Sequence, residues 1–545
     1  MGPMVMATAM DTVMVSRRSP VRRAGFLLLL TAIKSGAAHA DTLTITPRFS
    51  TSETYTDNLT LAPSNEATPG FITQLTPGIN IKDNGSQLKL NIDYSLLDMI
   101  YNNYGWEHTY YNQLNATGDL ELIKKTFFID ASSTISQQPL SLFGPVSANG
   151  ANLTGNVANV TTETISPTLV HNFDEEFIAQ AKLTRSLMNF SAAGPAVYGG
   201  AGGFSPYQVG LTPGYDFSGS SNIADMYVTN GAEFTNFLWK LDYNNNQTVF
   251  TGYPNSTISL LTADLGYLIT PRFKLTSEVG YENDNFVYFG PRPQGLFWNV
   301  GYGWSPSQRT HLDMSAGERF YGRTYLLNLS HRMRHVMIQA GYNQSVMSSM
   351  GEQYLPPATA LDQLLLTQIT DPAQRQQTIQ QILSALGPQS SLFGMNVITN
   401  EIFLSKTFQS SVGVTTTRNT VLFTLFDSQT LPLQQPGASS LNNPFLQFQN
   451  YLAFGTFYTS GATLTWSNQL TPVMTATFSD TYSRMSMANL AGQETTDLLL
   501  IGVSDKLTEK VTSSLTYRHQ YMNGGVVGGY NFMENALIAG LNFIF

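Results

Sequence analysis

The chain has 545 residues, 28 Lys and Arg against 37 Asp and Glu, and no cysteine. Charged residues make up 12%, about half the roughly 25% of ordinary soluble domains, while mean hydropathy is only −0.09. These values exclude a disulfide scaffold and thiolate metal centres, and they are unlike a bundle of membrane helices.

Taken in chain order, the first element is an export signal. Arg17, Arg18, Arg22 and Arg23 precede the apolar run "AGFLLLLTAI" (24–33), and Ala38-His39-Ala40 has the A-x-A spacing of a cleavage site before Asp41. The alternative, an uncleaved anchor, would have about half the length that a helix needs to cross a bilayer. Residues 1–16 fit no part of such a signal, so Met14 is an alternative start. Residues 1–40 hold five of the basic and one of the acidic side chains, which leaves a net charge of −13 on 41–545. A chain this acidic is a poor partner for nucleic acid. No other segment has 18 consecutive apolar residues.

From residue 41 onward the dominant period is two. In "LKLNIDYSLL", Leu88, Leu90, Ile92, Tyr94 and Leu96 share one face, with Lys89, Asn91, Asp93 and Ser95 on the other. The preceding "FITQLTPGINI" places Phe71, Leu75, Ile79 and Ile81 together, and Lys82–Gly85 joins the two runs through an Asn-Gly hairpin signal. Nine further short turns read the same way: 122–125, 173–176, 233–236, 269–272, 305–308, 331–335, 415–418, 470–473 and 507–510. With a first strand at 43–55 and a last at 535–545, the pattern predicts 22 strands, within a range of 20 to 24. The other connections, 137–158, 191–222, 347–397 and 429–455, are long. Short turns at one end and long loops at the other predict a closed antiparallel barrel of the outer membrane, with periplasmic turns, external loops and both termini in the periplasm. The alternative is a soluble sandwich or a tandem of them, which would need linkers and separate cores. Aromatics gather near strand ends (Tyr101, Tyr104, Trp106, Tyr110, Tyr111; Trp298, Tyr302, Trp304), as in an interfacial girdle. The final strand sets Leu537, Ala539, Leu541, Phe543 and Phe545 on one face. Leu541, Phe543 and Phe545 form a candidate signal for the barrel assembly machinery, and outer-membrane lipid is the expected surrounding.

The loop 347–397 carries a helical pattern. Asp371 caps a run opened by Pro372 and carrying Arg375, with Ile379, Ile382, Leu383 and Leu386 at i, i+3, i+4 and i+7, ended by Gly387-Pro388. This amphipathic helix is a candidate constriction of the lumen, or else a cap on the outer rim. Loop 191–222 is rich in Gly but has no Gly-Lys-Ser/Thr ending, so it reads as a flexible external loop and not as a phosphate cradle. By alternation, the candidate lumen-facing charges are Lys89, Asp93, Lys182, Lys240, Asp242, Glu278, Glu282, Asp313, Arg319 and Arg518. Their mixed signs predict no strong ion selectivity, and they serve equally as paired charges that stiffen a polar lumen. No catalytic residue, cofactor site or metal site is expected. His331 and His335 lack the HExxH context, and there is no G-x-S-x-G elbow, although an enzyme built from scattered residues would leave no local signature.

Several stretches resemble one family, the outer-membrane barrel proteins associated with exosortase (PEP-CTERM) systems. They are "SETYTDNLTLAPS" (52–64), "LTPGI" (75–79), "NIDYSLLDMIY" (91–101), "TISQQPLSLFGP" (134–145), "ITDPAQRQQ" (369–377), "NEIFLSK" (400–406) and "RNTVLF" (418–423). The resemblance runs across most of 41–545 in order. It implies a barrel working with exopolysaccharide production, and with an exopolysaccharide or its periplasmic export machinery as partner; it supplies no binding residues. The expectation is therefore a channel or export conduit. A general diffusion porin is the alternative, and a closed-barrel scaffold or an outer-membrane enzyme are the remaining ones. Twenty-two strands also fit a siderophore-type transporter, but strand-like sequence begins within a few residues of Asp41, where such a transporter would have a folded plug.

Overall fold

A computed structural model describes residues 43–102, 107–139, 145–148, 150–192, 216–250, 255–286, 292–348, 402–433, 455–488, 492–524 and 531–545. In chain order the strands are β1 (Leu43–Thr56), β2 (Gly70–Asn84), β3 (Leu88–Tyr101), β4 (Glu107–Ile123), β5 (Phe127–Pro139), β6 (Val157–Phe173), β7 (Phe177–Ala192), β8 (Asp216–Asn230), β9 (Phe237–Phe250), β10 (Ser256–Thr270) and β11 (Phe273–Asn283). They continue as β12 (Gln294–Ser307), β13 (Thr310–Arg319), β14 (Gly322–Arg332), β15 (Val336–Ser348), β16 (Ile402–Thr415), β17 (Asn419–Pro432), β18 (Phe457–Gln469), β19 (Met474–Met487), β20 (Gln493–Lys506), β21 (Val511–Gly524) and β22 (Asn531–Ile544). Each pairs antiparallel with its chain neighbours, and β22 pairs with β1, so the 22-stranded sheet closes on itself. Closure leaves no edge with unpaired backbone groups, which is the condition for strands to cross hydrocarbon.

All ten short turns fall between strands at one end, and their bounds shift by up to three residues from the pattern. At the Asn-Gly hairpin, pairing continues to Asn84↔Lys89. The turn proper is 85–87, with the Gly85 amide donating to Asp83 Oδ1 at 3.0 Å. β1 starts and β22 ends at this same end.

Alternation divides every strand into an outward and an inward row. The outward rows expose large apolar side chains, including Leu261, Leu275, Trp298, Trp304, Leu425, Ile501 and Leu537. On β22 the row Leu537, Ala539, Leu541, Phe543 and Phe545 is uninterrupted, then gives way to Asn535. Nine residues at roughly 3.3 Å each, tilted by about 40°, rise about 23 Å, the height of an outer-membrane hydrocarbon belt. The first polar side chain above the belt recurs around the barrel: Asp98 on β3, Glu163 on β6, Glu318 on β13, Asp427 on β17 and Asp497 on β20. The belt therefore abuts the short turns, and the upper strands stand above it. Closing the barrel, Phe543 on β22 lies 6.3 Å, centroid to centroid, from Phe49 on β1, and the Phe545 amide donates to Pro47 O at 3.0 Å.

Candidate functional site

The candidate site is the lumen, built from the inward rows. Lys89, Asp93, Lys182, Lys240, Asp242, Glu278, Glu282, Asp313, Arg319 and Arg518 all lie on the inward face of their strands. Most are brought into ion pairs. Lys182 meets Asp130 at 3.4 Å, Lys240 meets Asp242 at 2.5 Å, Lys274 meets Asp313 at 3.6 Å and Arg319 meets Glu282 at 2.7 Å. Asp93 is bridged by both terminal nitrogens of Arg48, and Arg518 pairs with Glu534 at 2.7 Å. Lys89 stands at the short-turn rim. Sequence reading missed Arg48, Asp130, Lys274 and Glu534. Alternation puts these four on the inward face as well; only their pairing needs cross-strand register.

On β7–β13 the charges outnumber what the pairs neutralise. Asp225, Asp264 and Glu278 have no ion-pair partner among the described residues, although Asn244 and Asn299 donate to Asp225 and Glu278 at 3.2 and 2.7 Å. Small residues make room for this ionic wall. A Cβ on Gly303 would fall 2.2 Å from Lys274 Cε, so glycine there lets Lys274 lie flat along the wall to reach Asp313. A recess of about 480 Å³ opens between Lys240, Asp264, Lys274, Glu278, Asn299 and Asp313.

The wall of β16–β19 is of another kind. Of its 28 inward positions, 17 are Ser or Thr and none is charged. The hydroxyls bond across strands, Ser411 to Thr424 at 3.1 Å and Thr463 to Thr481 at 3.3 Å. Phe426 and Phe457 are buried in the same rows.

Between these walls and the remaining strands, one segment folds inward. The connection β5–β6 reads from sequence as an external loop, yet its residues 145–148 and 150–156 pack inside the barrel. Ala151 and Leu153 join Leu97, Met99 and Tyr101 of β3 and Tyr111 of β4, while Ala148 packs on Leu498 and Leu500 of β20. Polar contacts fix it further. Asn152 donates to Glu534 Oε1 at 2.6 Å and accepts from Arg518 at 3.0 Å. Thr56 donates to the same carboxylate at 2.7 Å, Gln520 donates to Val146 O at 2.5 Å, and Tyr101 donates to Ala151 O at 2.8 Å. Arg518 and Glu534 are 1% and 0% exposed, so the pair is affordable only because Asn152 and Thr56 complete its hydrogen bonds. The segment "SANGANLTGN" has no charge and little bulk, which suits it to this position. The β1–β2 connection follows the same wall, with Leu59 against Ile72 and Met99 and with Leu61 against Met522 and Phe532.

A second buried cluster sits at the upper end of β11–β13. Arg319 lies 5.0 Å from the ring centroid of Phe297 and binds Glu282, and Phe297 occupies the space that a Cβ on Gly280 would need, 2.2 Å away. Asp284, just beyond β11, is fully buried. Burial first, and then the neighbouring Glu282 carboxylate, push its pKa up to about 8. It accepts from the Ser259 amide at 3.2 Å. Tyr321 in the adjoining hairpin is raised as well, chiefly by burial.

The candidate constriction helix with Asp371, Arg375, Ile379, Ile382, Leu383 and Leu386 lies outside the described residues. Among the described residues, 145–148, 150–156 and the β1–β2 connection are the non-strand residues packed inside the barrel. His331 is bonded to Thr310 at 2.8 Å and His335 to Thr415 O at 3.1 Å. Among the described residues no three His, Asp or Glu side chains converge as metal ligands.

No protein-family model matches the chain, and no curated protein matches it. Among solved structures it is similar to a ferric enterobactin receptor (PfeA) mutant of Pseudomonas aeruginosa in complex with enterobactin, at 10% identity and TM-score 0.48, covering 92% of this chain and 81% of that one. It is also similar to the siderophore receptor PirA of Acinetobacter baumannii, at 8% identity and TM-score 0.47, covering 92% and 80%. At this level of likeness neither assigns a ligand to this chain. The closed 22-stranded wall and its apolar belt are those of an outer-membrane β-barrel.

Proposed function

We propose that this barrel is an outer-membrane channel for hydrophilic cargo, with exopolysaccharide leaving the cell as that cargo. The observation that carries the channel reading is the lumen itself. Its inward rows carry charged side chains on β7–β13 and hydroxyls on β16–β19, and the inward residues 145–148 and 150–156 pack on the β20–β4 side. A wall of neutral hydroxyls with occasional aromatic rings suits a sugar chain, whose own hydroxyls can exchange one set of hydrogen bonds for the next without a deep binding minimum. The resemblance to exosortase-associated barrels supplies the context of export. A deletion strain tests cargo and direction together. It should retain cell-associated polymer while uptake of small solutes stays normal, whereas normal polymer release with impaired solute uptake would make the protein a diffusion porin.

A further inference from the structure

From the β6–β7 turn to the β16–β17 turn the short-turn end of the barrel is segregated by charge, whereas the β4–β5 turn exposes Lys124 and Lys125 and the β20–β21 turn mixes Glu509 with Lys510. The four consecutive turns from β10 to β17 each present an exposed arginine: Arg272, Arg309, Arg334 and Arg418. No acidic residue lies in any of these turns, and none of the four arginines has an ion-pair partner among the described residues. The two turns just before this arc are the reverse. β6–β7 exposes Asp174, Glu175 and Glu176, and β8–β9 exposes Glu233, with no base among them. Both sectors are rigidly placed. The carbonyls of Arg272, Arg309 and Arg418 accept from Ser305, Arg332 and Gln469 on neighbouring strands at 2.7, 2.8 and 2.8 Å. The two acidic turns are tied together by Gly231 donating to Glu176 O at 2.7 Å and Glu233 donating to Glu175 O at 3.0 Å.

Exposed like charges side by side repel, so their grouping calls for a cause beyond solubility. Lipid does not supply one. The surrounding leaflet offers the same headgroup chemistry at every turn, so lipid contact would not sort acids to one sector and arginines to the next. A protein docked over the opening would, because complementary patches fix orientation as well as attraction. We propose that the short-turn rim is the docking face for a periplasmic protein that sets an acidic surface on the arc Arg272, Arg309, Arg334 and Arg418. The same partner sets a basic surface on Asp174, Glu175, Glu176 and Glu233. The inference rests on the barrel's orientation in the membrane, not on its cargo.

The test uses the full barrel in nanodiscs of phosphatidylcholine, a lipid of no net charge, with fluorescent poly-glutamate as the probe of an acidic surface. Poly-glutamate should bind with an affinity that falls as salt rises. Joint replacement Arg272→Gln, Arg309→Gln, Arg334→Gln and Arg418→Gln should weaken it at least tenfold. The variant should keep heat-modifiable gel mobility and, if the channel reading holds, an unchanged single-channel current. Binding that survives the four replacements, or no binding to the native rim, overturns the inference. In cells, a photo-cross-linking side chain at Gln308 should give a protein adduct that the four replacements abolish. Adducts with phospholipid alone would show the arc to be a lipid contact and would also overturn it. Loss of current with binding intact would instead remove the channel reading and leave the docking face.

Discussion

The two walls of the lumen solve the same problem with different chemistry. Both must present polar groups to water and pack tightly enough to hold a barrel. β7–β13 does it with ion pairs on long side chains, seated over glycines such as Gly280 and Gly303. β16–β19 does it with short hydroxyls bonded across strands. The ionic wall is structured by its neighbours, since each lysine or arginine has a direction imposed by one carboxylate. The hydroxyl wall has no such commitments, and any one of its contacts is replaceable by water. The first wall shapes the lumen; the second leaves it smooth.

The largest expected contrast comes from removing one partner on each side. Glu282→Ala strands the largely buried Arg319 and should cost about 3–5 kcal/mol, whereas Thr463→Ala should cost no more than about 0.5–1.5 kcal/mol. Urea unfolding in lipid vesicles compares the two, and equal losses would erase the distinction. Filling the glycine floor is the next effect. Gly280→Leu drives into Phe297 and should cost about 1–3 kcal/mol, while the same exchange at an outward glycine such as Gly118, whose Cβ would meet only Leu90 at 3.5 Å, should be milder. Charge neutralisation then separates the walls by function. Asp264→Asn with Glu278→Gln should move the reversal potential in a potassium chloride gradient toward that of chloride, and Thr463→Val with Thr481→Val should leave it unmoved. The smallest effect is a pH dependence confined to the ionic side. Asp284 holds its proton in the folded barrel up to about pH 8, but an unfolded aspartate releases it near pH 4. Folding therefore takes up a proton between these values, and this contribution to stability fades as pH rises through about 8. Asp284→Asn should flatten that part of the unfolding profile between pH 5 and 9.

The charges of the ionic wall were legible in the sequence as inward residues, but their pairing was not, and the hydroxyl wall was not singled out from the sequence at all. Period two assigns each residue to a face, which places Lys240, Glu278 and Arg319 inside without any knowledge of neighbours. Pairing is a property of two strands, so Lys274–Asp313 and Arg518–Glu534 emerge only once register is known. The same limit hid segment 145–156. Nothing local marks "SANGANLTGN" as inward, because what draws it in is Arg518, Glu534 and Gln520, more than 360 residues away in the chain. Short turns, by contrast, depend on local chemistry, and all ten were readable to within three residues.

Single-channel recording in planar lipid bilayers tests the central claim most directly. The account predicts stepwise currents from the native barrel and larger steps from Asn152→Ala, which loosens segment 145–156 from Arg518 and Glu534 while leaving that ion pair in place. Silence from both proteins, with heat-modifiable mobility showing both barrels folded, would contradict it.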